Sequence, residues 1–160
     1  SKPITFTDTS PDNTTNYFIN CVDTTADRFR VESDGDVQNH DNSYGAISDV
    51  KLKENIADAS SQWDDIKAVQ VRKYSMKSDN SDTANRIGVI AQELEASGMG
   101  GLVKETTDLS QDDDGNIIEL ETTTKTVKYS ILYMKAIKAL QEAMTRIETL
   151  EIKVAALEAE

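Results

Sequence analysis

The sequence predicts an α+β chain with three parts: a short β-stalk segment, a small mixed α/β domain with an extended β-hairpin arm, and a long C-terminal helix. Three observations carry this. Short β-like runs separated by turn formers fill residues 3–38. Asp114-Gly115 stands between two β-prone segments, the strongest short-range hairpin signal in the chain. The last thirty residues contain neither Gly nor Pro and repeat their apolar positions in steps of three and four.

Ile4–Thr7, Tyr17–Val22 and Arg28–Val31 are the β-like runs, punctuated by Ser10-Pro11-Asp12-Asn13 and Asp34-Gly35-Asp36. Phe29 and Val31 alternate with Arg28 and Arg30, the period of a half-buried strand. So small and polar a set buries little core alone. Residues 1–48 therefore read as the distal end of a β-structured stalk whose core is shared between chains. The opening Ser1 fits a piece cut from something longer. Asn39 to Ala46 is an expected exposed connection.

Residues 49–160 form the second expected domain. A short helix or turn is expected around Trp63, a strand over Ile66 to Met76, a polar loop over Ser78 to Asn85, and a buried strand over Ile87 to Ile90. A helix over Ala91 to Ser97 should stop at Gly98. Leu102 to Leu109 and Ile117 to Tyr129 should be the hairpin arm, its β-branched Thr122–Val127 favouring extension. Ser130 is the expected N-cap of the last helix, which would run about 45 Å at ~1.5 Å per residue.

Along that helix Tyr133, Ala136, Leu140, Ala143, Ile147, Leu150, Val154 and Leu157 average 3.5 residues apart, specifying a left-handed coiled coil. With Ile147 and Val154 at a, the g-to-e pairs Arg146–Glu151 and Lys153–Glu158 are of opposite sign and favour parallel chains in register. The seam residues alone fit a dimer or a trimer, and a monomeric helix packed on its own domain is the simplest competitor.

Composition narrows function. A formal net charge of −12 argues against a nucleic-acid partner, which needs clustered Lys and Arg. No apolar run reaches the ~18 residues of a membrane span. Cys21 is alone, so no intrachain disulfide forms, and His40 lacks a second His or Cys at ligand spacing. In Asp112–Asn116 a calcium loop would need Gly at 117, where Ile stands, so a solvated turn is expected and no metal or other cofactor.

Ser48 and Lys53 are the candidate chemistry. A serine hydroxyl needs a base within hydrogen-bond reach, and with one histidine in the chain, lysine is the alternative. A lysine base must be neutral, and lowering an ordinary lysine to about pH 7 costs roughly 4–5 kcal/mol, normally supplied by desolvation. Ile47, Val50, Leu52 and Ile56 provide apolar surface for this once chains pack. Spacing alone makes Ser-x4-Lys a weak signal, most often an exposed coincidence.

Ser48-Asp49-x-Lys51-Leu52-Lys53-x-Asn55-Ile56 resembles the opening of the peptidase S74 domain, the intramolecular chaperone at the C-terminus of phage tail fibres and tailspikes. Arg86-Ile87-Gly88-Val89-Ile90-Ala91-Gln92-Glu93 and Val127-Lys128-Tyr129-Ser130-Ile131-Leu132-Tyr133 resemble that domain in the same order, so the likeness spans roughly residues 48–160. The resemblance implies a homotrimer, making the C-terminal helix a parallel trimeric coiled coil over 131–160, with the stalk of the same chain as client. It further implies single-turnover self-cleavage with Ser48 as nucleophile and Lys53 as base, supported by Asp49, Lys51 and Asn55. The family's cut falls beside the serine, at Ser48–Asp49, while attack on the preceding carbonyl would split Ile47–Ser48. Lys51 departs from the Arg common in the family, losing bidentate geometry. Assembly would take place in the infected host cytoplasm, with the N-terminal part ending in the virion tail. The competing function is an uncleaved, receptor-binding tip of a trimeric fibre. A membrane-anchored transcription-factor fragment using the same domain is disfavoured by the acidic N-terminal part and its fibre-like strands.

Overall fold

A computed structural model describes residues 16–77, 85–112 and 115–159. The chain divides into two compact units, Ser1–Ile56 and Ala57–Glu160. Ile4–Thr7, the turn at 10–13 and most of the polar loop expected at 78–85 lie outside the described residues.

The first unit holds an antiparallel sheet of β1 (Tyr17–Val22), β2 (Asp27–Glu32) and β3 (Val37–Asn39), in that order. Cys21 pairs with Phe29 and Phe29 with Asn39. The β1–β2 turn is organised by Asp23, whose carboxylate accepts from Thr25 N at 2.7 Å, Ala26 N at 2.9 Å and Arg28 Nε at 2.6 Å. These bonds and one from the Thr25 hydroxyl, the largest contribution, hold its pKa far below the ordinary carboxylate value. Gly35 makes the β2–β3 turn at φ +96°, a conformation glycine adopts without strain. β3 begins where turn residues end and reaches Asn39, so the exposed connection starts later than the sequence suggested. Phe29 and Val31 are only half-buried, and Val22 and Val37 are open.

The second unit is built on α3 (Tyr129–Glu158), preceded by α1 (Trp63–Ala68), the pair β4 (Arg72–Tyr74) and β5 (Arg86–Gly88), α2 (Ala91–Leu94), and the hairpin β6 (Val103–Gln111) with β7 (Ile117–Val127). Leu94, Met99, Leu102 and Leu132 form its core, flanked by Ile66, Val69, Val89, Val103, Val127 and Tyr129. A π-helical turn over Glu95–Met99 follows α2, and Gly98 at φ +89° breaks it, as the stop signal there suggested.

Three local expectations are corrected. Ile66 to Ala68 is helical and only Arg72–Tyr74 is a strand, because Ile66 turns inward to the core with Val69 rather than alternating across a sheet. Ile87 is 73% exposed, since the two-stranded β4–β5 pair covers one face at most. α3 starts two residues early, with Lys128 at the cap position and Ser130 inside its first turn.

β6 and β7 do form the expected hairpin, although Asp114 of the Asp-Gly pair lies outside the described residues. Asp112 N donates to Asn116 O at 3.0 Å and Asn116 N to Asp112 Oδ1 at 2.7 Å, with Gly115 at φ +83°. Val103 pairs with Val127 and Gln111 with Ile117, with a bulge between Thr107 and Leu109. Leu109, Ile117, Ile118 and Leu120 lie exposed along this arm.

Two of the sequence blocks meet in this unit. The Tyr129 hydroxyl accepts from Val89 N at 3.3 Å, and a Cβ on Gly88 would stand 2.8 Å from that same oxygen. A side chain at Gly88 would therefore have to displace the Tyr129 hydroxyl from this contact. Arg72 clasps Glu93 through Nε at 2.9 Å and a second guanidinium nitrogen at 2.8 Å.

Candidate active site

Asp49 opens a single 3₁₀ turn over Val50–Leu52. Its Oδ1 accepts from Lys51 N at 3.0 Å, while Leu52 N donates to Asp49 O at 3.1 Å and Lys53 N to Val50 O at 3.0 Å. This turn doubles the backbone back far enough for a side chain five residues on to reach Ser48. Lys53 Nζ stands 2.5 Å from Ser48 Oγ.

Lys51 Nζ lies 3.4 Å from Asp49 Oδ2, a monodentate contact of the kind lysine makes. Asn55 adopts φ +54°, a left-handed conformation that asparagine tolerates better than most residues. Asp49 and Asn55 therefore shape the backbone around the pair. That role was missed in the sequence, although Asp before a turn and Asn after it are both turn signals.

Ser48 and Lys53 are exposed in the single chain. So are the apolar neighbours expected to surround the amine: Ile47 is 88% open, and Val50, Leu52 and Ile56 are each about two-thirds open. Desolvation of the amine is therefore not supplied by this segment alone. His40 lies elsewhere in use: its Nδ1 is 2.6 Å from Asp41 Oδ1, and that hydrogen bond holds the pKa of Asp41 below its ordinary value.

The C-terminal seam is likewise open. Tyr133, Leu140, Ile147, Leu150, Val154 and Leu157 are all more than half exposed, Ala136 is exposed and Ala143 half-buried. Leu132 and Ala139, which the heptad reading left out, are the α3 residues buried in the chain's own core. Glu142 also binds its own domain: it accepts from Ser61 Oγ at 2.7 Å and Gln62 N at 3.1 Å, capping α1. Lys135 reaches Gln62 Oε1 and, at 2.6 Å, Asp65. Arg146, assigned to an interchain pair with Glu151, stacks 4.0 Å over the Trp63 ring. That is a competing use of the same guanidinium, with ring and charge attracting directly.

What the fold and site define is a turn-borne hydroxyl–amine pair in one unit and, in the other, a long helix that packs one face on its domain and leaves a heptad seam bare. Residues 48–104 match the model of the peptidase S74 family, described as the chaperone of endosialidase, a stretch that takes in the first two of the three sequence blocks. Among solved structures, the carboxy-terminal domain of the bacteriophage T5 L-shaped tail fibre with its intramolecular chaperone domain is similar. The likeness is at 18% identity over 81% of this chain and 41% of that chain, with a TM-score of 0.40. The chain thus spans about two-fifths of that structure's length. None of the curated proteins matches it.

Proposed function

We propose that the chain is the end of a phage tail fibre or tailspike joined to its intramolecular chaperone, and that three copies assemble before each cuts itself beside Ser48. The observation that carries this reading is the 2.5 Å approach of Lys53 Nζ to Ser48 Oγ at the first residue of the matched segment. A neutral Lys53 amine takes the Ser48 proton while Oγ attacks a neighbouring carbonyl. Attack at the Ile47 carbonyl forms an ester by a five-membered shift, the Ser48 nitrogen leaves as an amine, and water hydrolyses the ester. A cut at Ser48–Asp49 is the other outcome.

The exposed pair and the exposed seam support one order of events. Self-association through residues 131–160 brings chains together as a homotrimer, and neighbouring chains then exclude water from the dyad, allowing the amine to lose its proton. Cleavage thereby reports completed assembly, and the released stalk is hard to disassemble because its registering element is no longer tethered. The half-buried β1–β2–β3 sheet suits a client whose core is completed by other chains. Assembly falls in the infected host cytoplasm and the matured N-terminal part in the virion tail. No nucleic-acid or membrane partner enters this scheme; among the described residues no helix is long and apolar enough to cross a membrane.

Intact-mass measurement of freshly expressed protein tests the proposal. The wild-type chain should appear as two products whose masses identify the bond cut. Ser48→Ala and Lys53→Arg should remain full length, the latter because a guanidinium stays protonated. A wild-type chain that stays whole favours an uncleaved fibre tip, and processing of Ser48→Ala at the wild-type rate removes the assigned nucleophile.

A further inference from the structure

β2 ends on Glu32, the one charged side chain buried among the described residues, at 2% exposure. Its Oε1 accepts from Gln38 Nε2 at 2.9 Å, whereas Oε2 is buried without a hydrogen-bond partner. Just beyond it, the β2–β3 turn carries Asp34 and Asp36. The turn closes tightly: Glu32 N donates to Asp36 O at 2.8 Å and Gly35 N to Glu32 O at 3.1 Å. One carboxylate oxygen from each of Glu32, Asp34 and Asp36 lies within 4.8 Å of the other two. Among the described residues no Lys or Arg forms an ion pair with any of the three; Arg28 is held by Asp23 and Arg30 by Asp27.

A buried anionic oxygen with no donor is strongly disfavoured, and two further carboxylates close by raise its cost. The bonds within the turn do nothing for Oε2. A cation seated on the cluster neutralises the buried Glu32 carboxylate and relieves the repulsion among the three together. All-oxygen, all-anionic ligands suit hard cations. A loose set with two exposed members, leaving room for water, suits the larger and geometrically tolerant calcium better than magnesium, which demands a near-ideal octahedron.

We propose that Glu32, Asp34 and Asp36 bind a calcium ion that pins the β2–β3 turn. The site lies in the N-terminal unit, apart from the residues of the cleavage scheme, and stands whether or not the chain cuts itself. Binding there also offsets part of the −12 net charge that opposes association of chains.

The test is calorimetric titration of the full chain, stripped with chelator, with calcium chloride and in parallel with magnesium chloride. One saturating calcium site per chain is expected, with a dissociation constant on the order of 10⁻⁴–10⁻³ M and weaker magnesium binding. Asp34→Asn with Asp36→Asn, both at exposed positions, should weaken calcium at least about tenfold with an unchanged far-ultraviolet circular dichroism spectrum. Glu32→Gln should do the same where it folds. Asp112→Asn, in the other acidic turn, should leave binding intact. Absence of saturable calcium binding up to about 10 mM overturns the proposal. So does binding that survives the double Asp substitution, is lost with Asp112→Asn, or favours magnesium.

Discussion

Truncating Ile147 separates association from folding. The residue sits at the middle of the seam, 54% exposed in the single chain, and outside the chain's own core. Full burial of an isoleucine contributes about 1.5–3 kcal/mol, so burying the remaining half contributes about 0.8–1.6 kcal/mol per chain. Ile147→Ala removes most of that, about 2–4 kcal/mol per trimer before any cavity penalty. In a monomer–trimer equilibrium the half-assembly concentration follows the square root of the dissociation constant, so it should rise about five- to thirtyfold. Ile152 is the internal control. It is 72% exposed and lies off the heptad seam, so Ile152→Ala should move the midpoint by less than about twofold. Sedimentation equilibrium over a dilution series reads both, with circular dichroism confirming the monomer's fold. Equal shifts for the two variants, or none for Ile147→Ala, would refute the seam; so would a wild-type chain that sediments as a monomer or dimer at micromolar concentration.

Further outcomes are expected elsewhere. Asp49→Ala loses the cap on Lys51 N, worth about 1 kcal/mol, and should slow self-cleavage roughly fivefold; Asp49→Asn keeps an acceptor oxygen and should cut within about twofold of wild type, so equal slowing of both removes the turn as a positioning device. A chain ending at Arg146 keeps Leu132, Ala139 and Glu142 but loses the distal seam; it should remain folded, sediment as a monomer, and cleave at least about tenfold more slowly, and normal processing by that monomer would mean that one chain completes its own site. Glu142 is held below its ordinary value of 4.5, first by the Ser61 hydroxyl. Its contribution is therefore complete above that value and lost as pH falls through the lowered one. The melting-temperature advantage of wild type over Glu142→Gln should shrink from about pH 6 to about pH 3, and an advantage that holds or grows on acidification would contradict the capping role.

The elements legible from sequence were those whose signal is local. Strands β1 and β2 follow from β-branched and aromatic runs, the β6–β7 hairpin from Asp-Gly, and α3 from an unbroken heptad. Misreadings arose where a tertiary contact decided the outcome. Ile66 and Val69 face one small core from a helix and its end, so alternation from 66 to 76 was a coincidence of spacing. Leu132 and Ala139 sit beside the seam in sequence yet belong to the domain, which no heptad count distinguishes. Within the candidate site, Ser48 and Lys53 were visible as residue types, whereas their approach depends on Asp49 capping a turn and Asn55 taking a left-handed conformation. The buried Glu32 left no trace, since an acidic residue ending a strand reads as solvent-facing.

Because Leu132 and Ala139 anchor α3 to its domain while Tyr133 and Leu140 follow each by one residue, the two faces stand about 100° apart around the helix. The helix is then a dial as well as a strut: in the proposed trimer it would set the azimuth at which each domain is mounted on the common axis. Adding one residue between Ala136 and Ala139 would swing part of the seam by that angle against the core that holds the helix in place. Beyond Arg146, which stacks on Trp63, whole heptads can be added without turning anything. Length can therefore grow in the distal part of α3, but the phase of its first five turns cannot change.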